Sequence, residues 1–199
     1  MKRRLLSCLM IGSALVLALA LAACGGSGGS SDESQIEEAI ETSATTADPT
    51  NCTKFETLNF AEQGSNTEGQ KAVVECEKEA KNTESNAKSV TVSKVEVEGS
   101  KATANAAVTG GGFDGQTVEI ALVKEGEQWK LDEITGFAKL DQAKVVAALA
   151  EQFEKSGEVE ASIATCIEEG FEEASQPEIE ELLLSGSPEP IEELAKECS

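Results

Sequence analysis

The sequence has no histidine and no tyrosine, a single tryptophan, four prolines and few cations: 16 Lys and Arg stand against 37 Asp and Glu, for a formal net charge of −21. Without histidine there is no Ser-His or Cys-His activation, no imidazole metal ligation and no ordinary proton shuttle near neutrality. Most familiar hydrolytic arrangements are thereby excluded. The shortage of Lys and Arg excludes a nucleic-acid surface, because neutralising a phosphate backbone takes clustered cations. What is present is an acidic chain of 199 residues, 40% apolar, enough for one ordinary domain and an extension.

Residues 1–23 carry a basic start (Lys2, Arg3, Arg4), an apolar run from Leu5 to Leu21, and then small Ala22 and Ala23. That layout predicts an export signal. A transmembrane helix is the competing reading, but the run is barely long enough to span and is followed by Cys24 and a Gly/Ser stretch with no basic stop-transfer flank. Leu21-Ala22-Ala23-Cys24 resembles the lipobox of bacterial lipoproteins. The resemblance implies a diacylglyceryl group on the Cys24 thiol, with Cys24 as the first residue of the mature chain. At ~0.8 kcal/mol per buried methylene, two acyl chains anchor stably where one is marginal. The expected partner is thus a membrane, held through lipid on Cys24, and the expected location is the outer face of the bacterial cytoplasmic membrane. Cleavage would remove three cations and no acid, deepening the negative charge of the body. Residues 24–31 form the lipidated cysteine and its tether, a Gly/Ser coil with a span of roughly 15 Å.

Of six cysteines, Cys8 leaves with the signal and Cys24 is lipidated, so Cys52, Cys76, Cys166 and Cys198 remain. An even number in an exported chain predicts two disulfides. Three pairings are open, and proximity along the chain favours Cys52 with Cys76 and Cys166 with Cys198. Each closes a loop that the chain-entropy picture values at roughly 3.5 kcal/mol before strain. Metal binding is the sharper alternative, but with no Cys-x-x-Cys and no His no metal site is expected.

From Asp32 to Ala47, Ile36, Ala39, Ile40, Ser43 and Ala44 recur at helical spacing, with acids in the first turn. Asp48-Pro49 stops this helix, and Cys52 to Phe60 reads as a short irregular or helical turn before a Gly64-Ser65-Asn66 loop. A second helix is predicted from Glu68 to Lys81, with Ala72, Val73, Cys76 and Ala80 on one face. After Asn82 the period changes to two and β-branched residues take over, which predicts strands. Val90 and Val92 give way to Val95 and Val97 across Ser93-Lys94, so one apolar face requires an extra residue there, a bulge that curves the sheet. Further strands run over 101–109, 116–124 and 127–134, the first with Ala102, Ala104 and Ala106 facing inward. Small inward residues beside large ones let a helix approach closely or leave a concavity. Leu140 to Ser156, Glu158 to Gly170, Pro177 to Leu184 and Pro188 to Cys198 read as helices in an acidic tail, with 15 Glu against Lys155 and Lys196 after residue 150. The expected fold class is α+β: helices packed on a curved antiparallel sheet of four or more strands over 32–138, followed by a small all-α unit over 139–199.

The stretch from Asp32 to Phe137 resembles the nuclear transport factor 2-like superfamily in the form found in secreted actinobacterial lipoproteins. The residues that carry the resemblance are Asp48-Pro49 and Cys52, the helix with Cys76, Val90-x-Val92, Val95-x-Val97, Val118-x-Ile120-x-Leu122 and Trp129-x-Leu131-Asp132. It implies a cone of helices against a curved antiparallel sheet, in a family that ranges from enzymes to binding modules. The chain departs from the enzymes by lacking the His, Tyr and paired pocket acids they tend to use. With four clear strands, a shallow pocket is expected.

Gly110, Gly112 and Gly115 match a G-x-G-x-x-G spacing, but a strand follows where phosphate cradling needs a helix. A hairpin connection is the better reading. Phe113, at the tip of that connection, is expected to be exposed, either as a partner contact or packed on the C-terminal helices. Trp129 falls at an inward position, as core or as a stacking surface for a ligand. Asp132 and Glu133 are consecutive and face opposite sides of a strand, which does not suit a catalytic pair. No catalytic residue and no cofactor is expected. The reading is a non-catalytic lipoprotein that binds a small ligand, a peptide or an envelope protein. An enzyme would need a deep cavity with two inward acids, and a structural spacer would show neither cavity nor apolar patch. Non-reducing peptide mapping with intact mass of protein from native membranes tests this reading: acylated Cys24 and two disulfides are the expected result, and a bare Cys24 on a full-length chain would overturn the proposed location.

Overall fold

The computed structural model describes residues 31–83, 85–148 and 161–185, together with Lys196 and Cys198. The expected signal, Cys24 and its glycines, the second half of the helix after Leu140 and nearly all of the expected helix from Pro188 lie outside the described residues. The described elements are helices α1 (Asp32–Thr45), α2 (Asn51–Lys54), α3 (Leu58–Ser65) and α4 (Gln70–Glu79), then strands β1 (Ser89–Glu98), β2 (Lys101–Thr109), β3 (Thr117–Glu125) and β4 (Gln128–Lys139). A helical stretch α5 over 142–148 follows, then α6 (Ala161–Glu173) and α7 (Gln176–Ser185). The strands form one open antiparallel sheet in the order β1-β2-β3-β4. This is the α+β class.

Helix α1 begins where Ser31 accepts a hydrogen bond from the Ser34 amide, with Asp32 and Glu33 in the first turn. Ile36, Ala39 and Ile40 bury against the sheet. The small residues of β2 (Ala102, Ala104, Ala106) lie between the larger inward residues of β1 and β3, and all three are buried. The helix is pinned at its start by Asp32, whose Oδ1 accepts from Trp129 Nε1 at 3.0 Å and from Lys124 Nζ. These contacts, the Lys124 bond foremost, hold the Asp32 carboxyl below its usual range.

The bulge in β1 is present, with a register shift between Ser93 and Glu96 and Lys94 at φ 52°. It returns Val95 to the face shared by Val90 and Val92. Strand β4 is longer than its alternation predicts, running to Lys139 instead of ending at Ile134. Its inward residues after Leu131 are Ile134 and Phe137, three apart, a spacing that ordinarily points consecutive side chains to opposite faces. Register irregularities opposite β3 absorb the extra residues, so that Leu131, Ile134 and Phe137 pair with Leu122, Ile120 and Val118 on the core side.

The outer edge of β4 is covered by α3. Gln63 Nε2 donates to Ile134 O at 2.9 Å while its Oε1 accepts from Ile134 N at 2.8 Å, and Asn59 Nδ2 donates to Asp132 O at 2.8 Å. These side chains stand where a fifth strand would pair. The short helical turn read from Cys52 is present as α2, but the residues from Leu58 to Ser65 form a second helix that runs through the expected Gly64-Ser65 loop, and Asn66 in the left-handed conformation ends it. Helix α6 passes through Gly170, the expected stop, and ends at Glu173 ahead of α7. Gln142 Nε2 donates to the Phe171 and Ala174 carbonyls at that end.

The second apolar cluster, with Val145, Val146, Ile167, Phe171, Ile179 and Leu182, is joined to the main core through Leu140 and Leu183. Gln63→Ala removes both side-chain bonds to Ile134. The expected loss is about 1–3 kcal/mol of unfolding free energy in urea titration, and an unchanged midpoint would show that water replaces the pair at no cost.

Candidate functional site

The concave side of the sheet, the C-terminal half of α1, and α2, α3 and α4 enclose a cavity of about 680 Å³. Its wall is mostly apolar: Ile40 and Ala44 from α1, Phe60 from α3, Ala106, Val108, Val118 and Ile120 from the central strands. The cavity exists because β2 carries alanine where its neighbours carry larger side chains, and because the bulged β4 turns the sheet around it.

One carboxyl is buried in this wall. Glu56 is 9% exposed and lies in a segment that bridges in parallel to Leu131 of β4. Thr57 N donates to Leu131 O and Leu131 N donates to Phe55 O, which fixes the Glu56 backbone between them. Glu56 Oε1 accepts from the Ser43 hydroxyl of α1 at 2.5 Å. Its Oε2 lies 3.1 Å from Cys76 Sγ. That sulfur is bonded to Cys52 and has no proton to give, so this contact supplies the carboxyl with no donor. Burial pushes the Glu56 carboxyl above the usual carboxylate range, against the opposing pull of Ser43.

The disulfides are the two expected from proximity in sequence. Cys52–Cys76 ties α2 to α4 in the cavity wall, and Cys166–Cys198 ties α6 to the end of the chain. Cys52, Cys76 and Glu56 form a compact cluster, yet with both sulfurs in a disulfide it offers a metal one carboxylate and no thiolate. Two disulfides point to an oxidising, extracytoplasmic setting. Among the described residues no helix is long and apolar enough to cross a membrane.

The charged part of the lining is mainly acidic: Asp48, Glu75 and Glu79 accompany Glu56, with Lys71 as the one cation among the described lining residues, and Lys78 beside them pairs with Glu75 at 3.1 Å. The connection between β2 and β3 closes another side. Asp114 accepts from the Gly110 amide at 2.6 Å and from Lys144 Nζ at 2.8 Å, and Gly111 sits so close to the chain at Ser85 that a Cβ there would lie 2.5 Å from its carbonyl oxygen.

Phe113 is half-buried and lines the cavity, its ring centroid 6.1 Å from that of Phe137. The exposed tip expected from the sequence is covered because β4 runs on far enough to supply Phe137. Trp129 is 1% exposed and belongs to the core at the other end of α1, outside the cavity wall. Asp132, on the bulged edge, accepts from Thr57 Oγ1 and takes no part in the cavity. Sequence reasoning missed Glu56 and Ser43. The one available signal was a lone acid between apolar Phe55 and Leu58, which an acidic chain makes easy to overlook.

Comparisons with protein-family models, with curated proteins and with solved structures return no match to this chain.

A carboxyl that titrates higher in the folded than in the unfolded chain holds its proton longer when folded. Its contribution to stability therefore falls as pH rises from the unfolded value to the folded one, and is level above. Glu56→Gln keeps the shape and removes the titration. In denaturation measured across pH, the variant should be the more stable protein at neutral pH, with the difference closing toward about pH 4; a difference that does not change with pH would show that Glu56 titrates as an ordinary surface acid.

Proposed function

We propose that this chain is a non-catalytic binding module of the cell envelope, held through lipid on Cys24 at the outer face of the cytoplasmic membrane, with the cavity on the concave side of the sheet as its ligand site. The observation that carries the reading is the cavity itself: about 680 Å³ with a largely apolar wall and one convergent polar pair, Glu56 and Ser43. That volume and lining are those of small-ligand sites. The open sheet with helices on its concave side is also what the nuclear transport factor 2-like resemblance leads one to expect.

The position of Ser31 supports the same reading. Ser31 caps the start of α1, beside Trp129 and Lys124, whereas the cavity is lined by Ile40, Ser43 and Ala44 from the far half of that helix. Fourteen helical residues span about 20 Å. A lipid ahead of Ser31 would leave the mouth clear of the attachment point.

An enzyme is the second reading, favoured by Glu56 alone, since a buried carboxyl with a raised pKa suits general acid chemistry. The other acids of the lining, Asp48, Glu75 and Glu79, are not buried, and no second buried titratable group accompanies Glu56 among the described residues. One buried acid without a partner supports binding over catalysis.

The reading predicts that N-phenyl-1-naphthylamine, a neutral apolar probe, shifts the methyl NMR signals of Ile40, Val108 and Ile120 in the mature lipoprotein held in zwitterionic nanodiscs. Signals that stay unmoved at saturating probe would remove the cavity as a ligand site.

A further inference from the structure

We infer that the ligand of this cavity is an amphiphilic amine, its apolar body against the aliphatic wall and its ammonium paired with the Glu56 carboxylate. The inference rests on the cavity being a binding site, and it names the chemistry of what enters. Three observations carry it.

The first is that Glu56 is buried in the cavity wall with a single hydrogen-bond donor, the Ser43 hydroxyl, and with no cation in contact among the described residues. A carboxylate taken out of water without a counter-charge is costly, and a ligand that brings the missing positive charge recovers much of that cost. The second is the other side of the same carboxyl. Oε2 lies against the Cys76 sulfur, which has no proton to give, so among the described residues this oxygen has no donor. An ammonium has three such donors and no acceptor.

The third observation is the charge of the lining. The lining carries Asp48, Glu56, Glu75 and Glu79 against Lys71, with Lys78 just outside it paired to Glu75 at 3.1 Å, and this remaining excess of acids, like the chain's net charge of −21, favours cations over carboxylates and phosphates. The apolar wall formed by Ile40, Val108, Val118, Ile120 and Phe60 requires that the cation carry a hydrocarbon body. A bare inorganic cation would leave that wall unfilled.

Three compounds of the same cage shape separate the possibilities: 1-aminoadamantane, 1-adamantanol and 1-adamantanecarboxylate. They are titrated into the mature lipoprotein in zwitterionic nanodiscs at neutral pH and physiological salt, with empty discs as the blank and the cavity methyl signals as the readout. The amine should bind at least about tenfold more tightly than the alcohol, as one charge-assisted hydrogen bond would give, and the carboxylate most weakly. Glu56→Gln should bring the amine down to the level of the alcohol. The double variant Glu75→Gln, Glu79→Gln should lower the amine preference by less than Glu56→Gln does, because Glu79 is exposed and screened at this salt and Glu75 is already paired with Lys78.

If the amine preference survives Glu56→Gln, it comes from the acidic surface at large and the assignment to Glu56 is wrong. If the alcohol or the carboxylate binds the wild-type protein as well as the amine does, the inference fails while N-phenyl-1-naphthylamine binding still upholds the cavity as a site. Silence from all four compounds overturns both. Should Glu56→Gln unfold the chain, the ratio of amine to alcohol affinity in the wild-type protein decides on its own.

Discussion

An antiparallel strand keeps one apolar face only while its inward residues alternate, and β4 departs from alternation at Leu131, Ile134 and Phe137. Each step of three would turn the next side chain to solvent unless an extra residue were left unpaired. The chain makes that adjustment at register irregularities opposite β3. Bulges bend the strand that carries them, so the price of keeping three large residues in the core is curvature. The concave side, and with it the cavity, follows from that bend together with the alanines of β2 and the bulge of β1.

A bent edge strand has backbone groups that no neighbour reaches. Here Gln63 and Asn59 of α3 supply the partners, and Thr57 binds the Asp132 side chain. The same short helices carry Cys52 and position Glu56, and the disulfide to α4 closes the side of the cavity away from the sheet. Edge protection and site construction are therefore done by one segment, residues 50–66. This economy explains how a chain with only four described strands encloses a sizeable space.

The two ends of α1 have different roles. At its start, Asp32 accepts hydrogen bonds from Trp129 and Lys124 and so fixes the helix to β3 and β4. At its finish, Ser43 reaches Glu56, and the Ala44 carbonyl accepts from the Ala87 amide as the chain enters β1. The helix thus links the Trp129 end of the core to the cavity. The C-terminal helices contribute to the main core through Leu183 and Leu184, while Gln142 bonds the carbonyls that end α6.

Local chemistry was sufficient for much of this architecture. The change of period after Asn82 marked the sheet, the switch from Val92 to Val95 located the first bulge, and two widely separated pairs of cysteines indicated the disulfides that are present. These are properties of neighbours along the chain, where spacing and side-chain type decide the outcome. The length of β4, the cover over Phe113, the helical form of residues 58–65 and the burial of Glu56 were settled only by tertiary structure. Each depends on a partner far away in sequence: Val118 for Phe137, Phe137 for Phe113, Ile134 for Gln63, and Ser43 with Cys76 for Glu56. A lone glutamate in a chain with 37 acidic residues carries no mark of its own; its chemistry appears once packing removes the water around it.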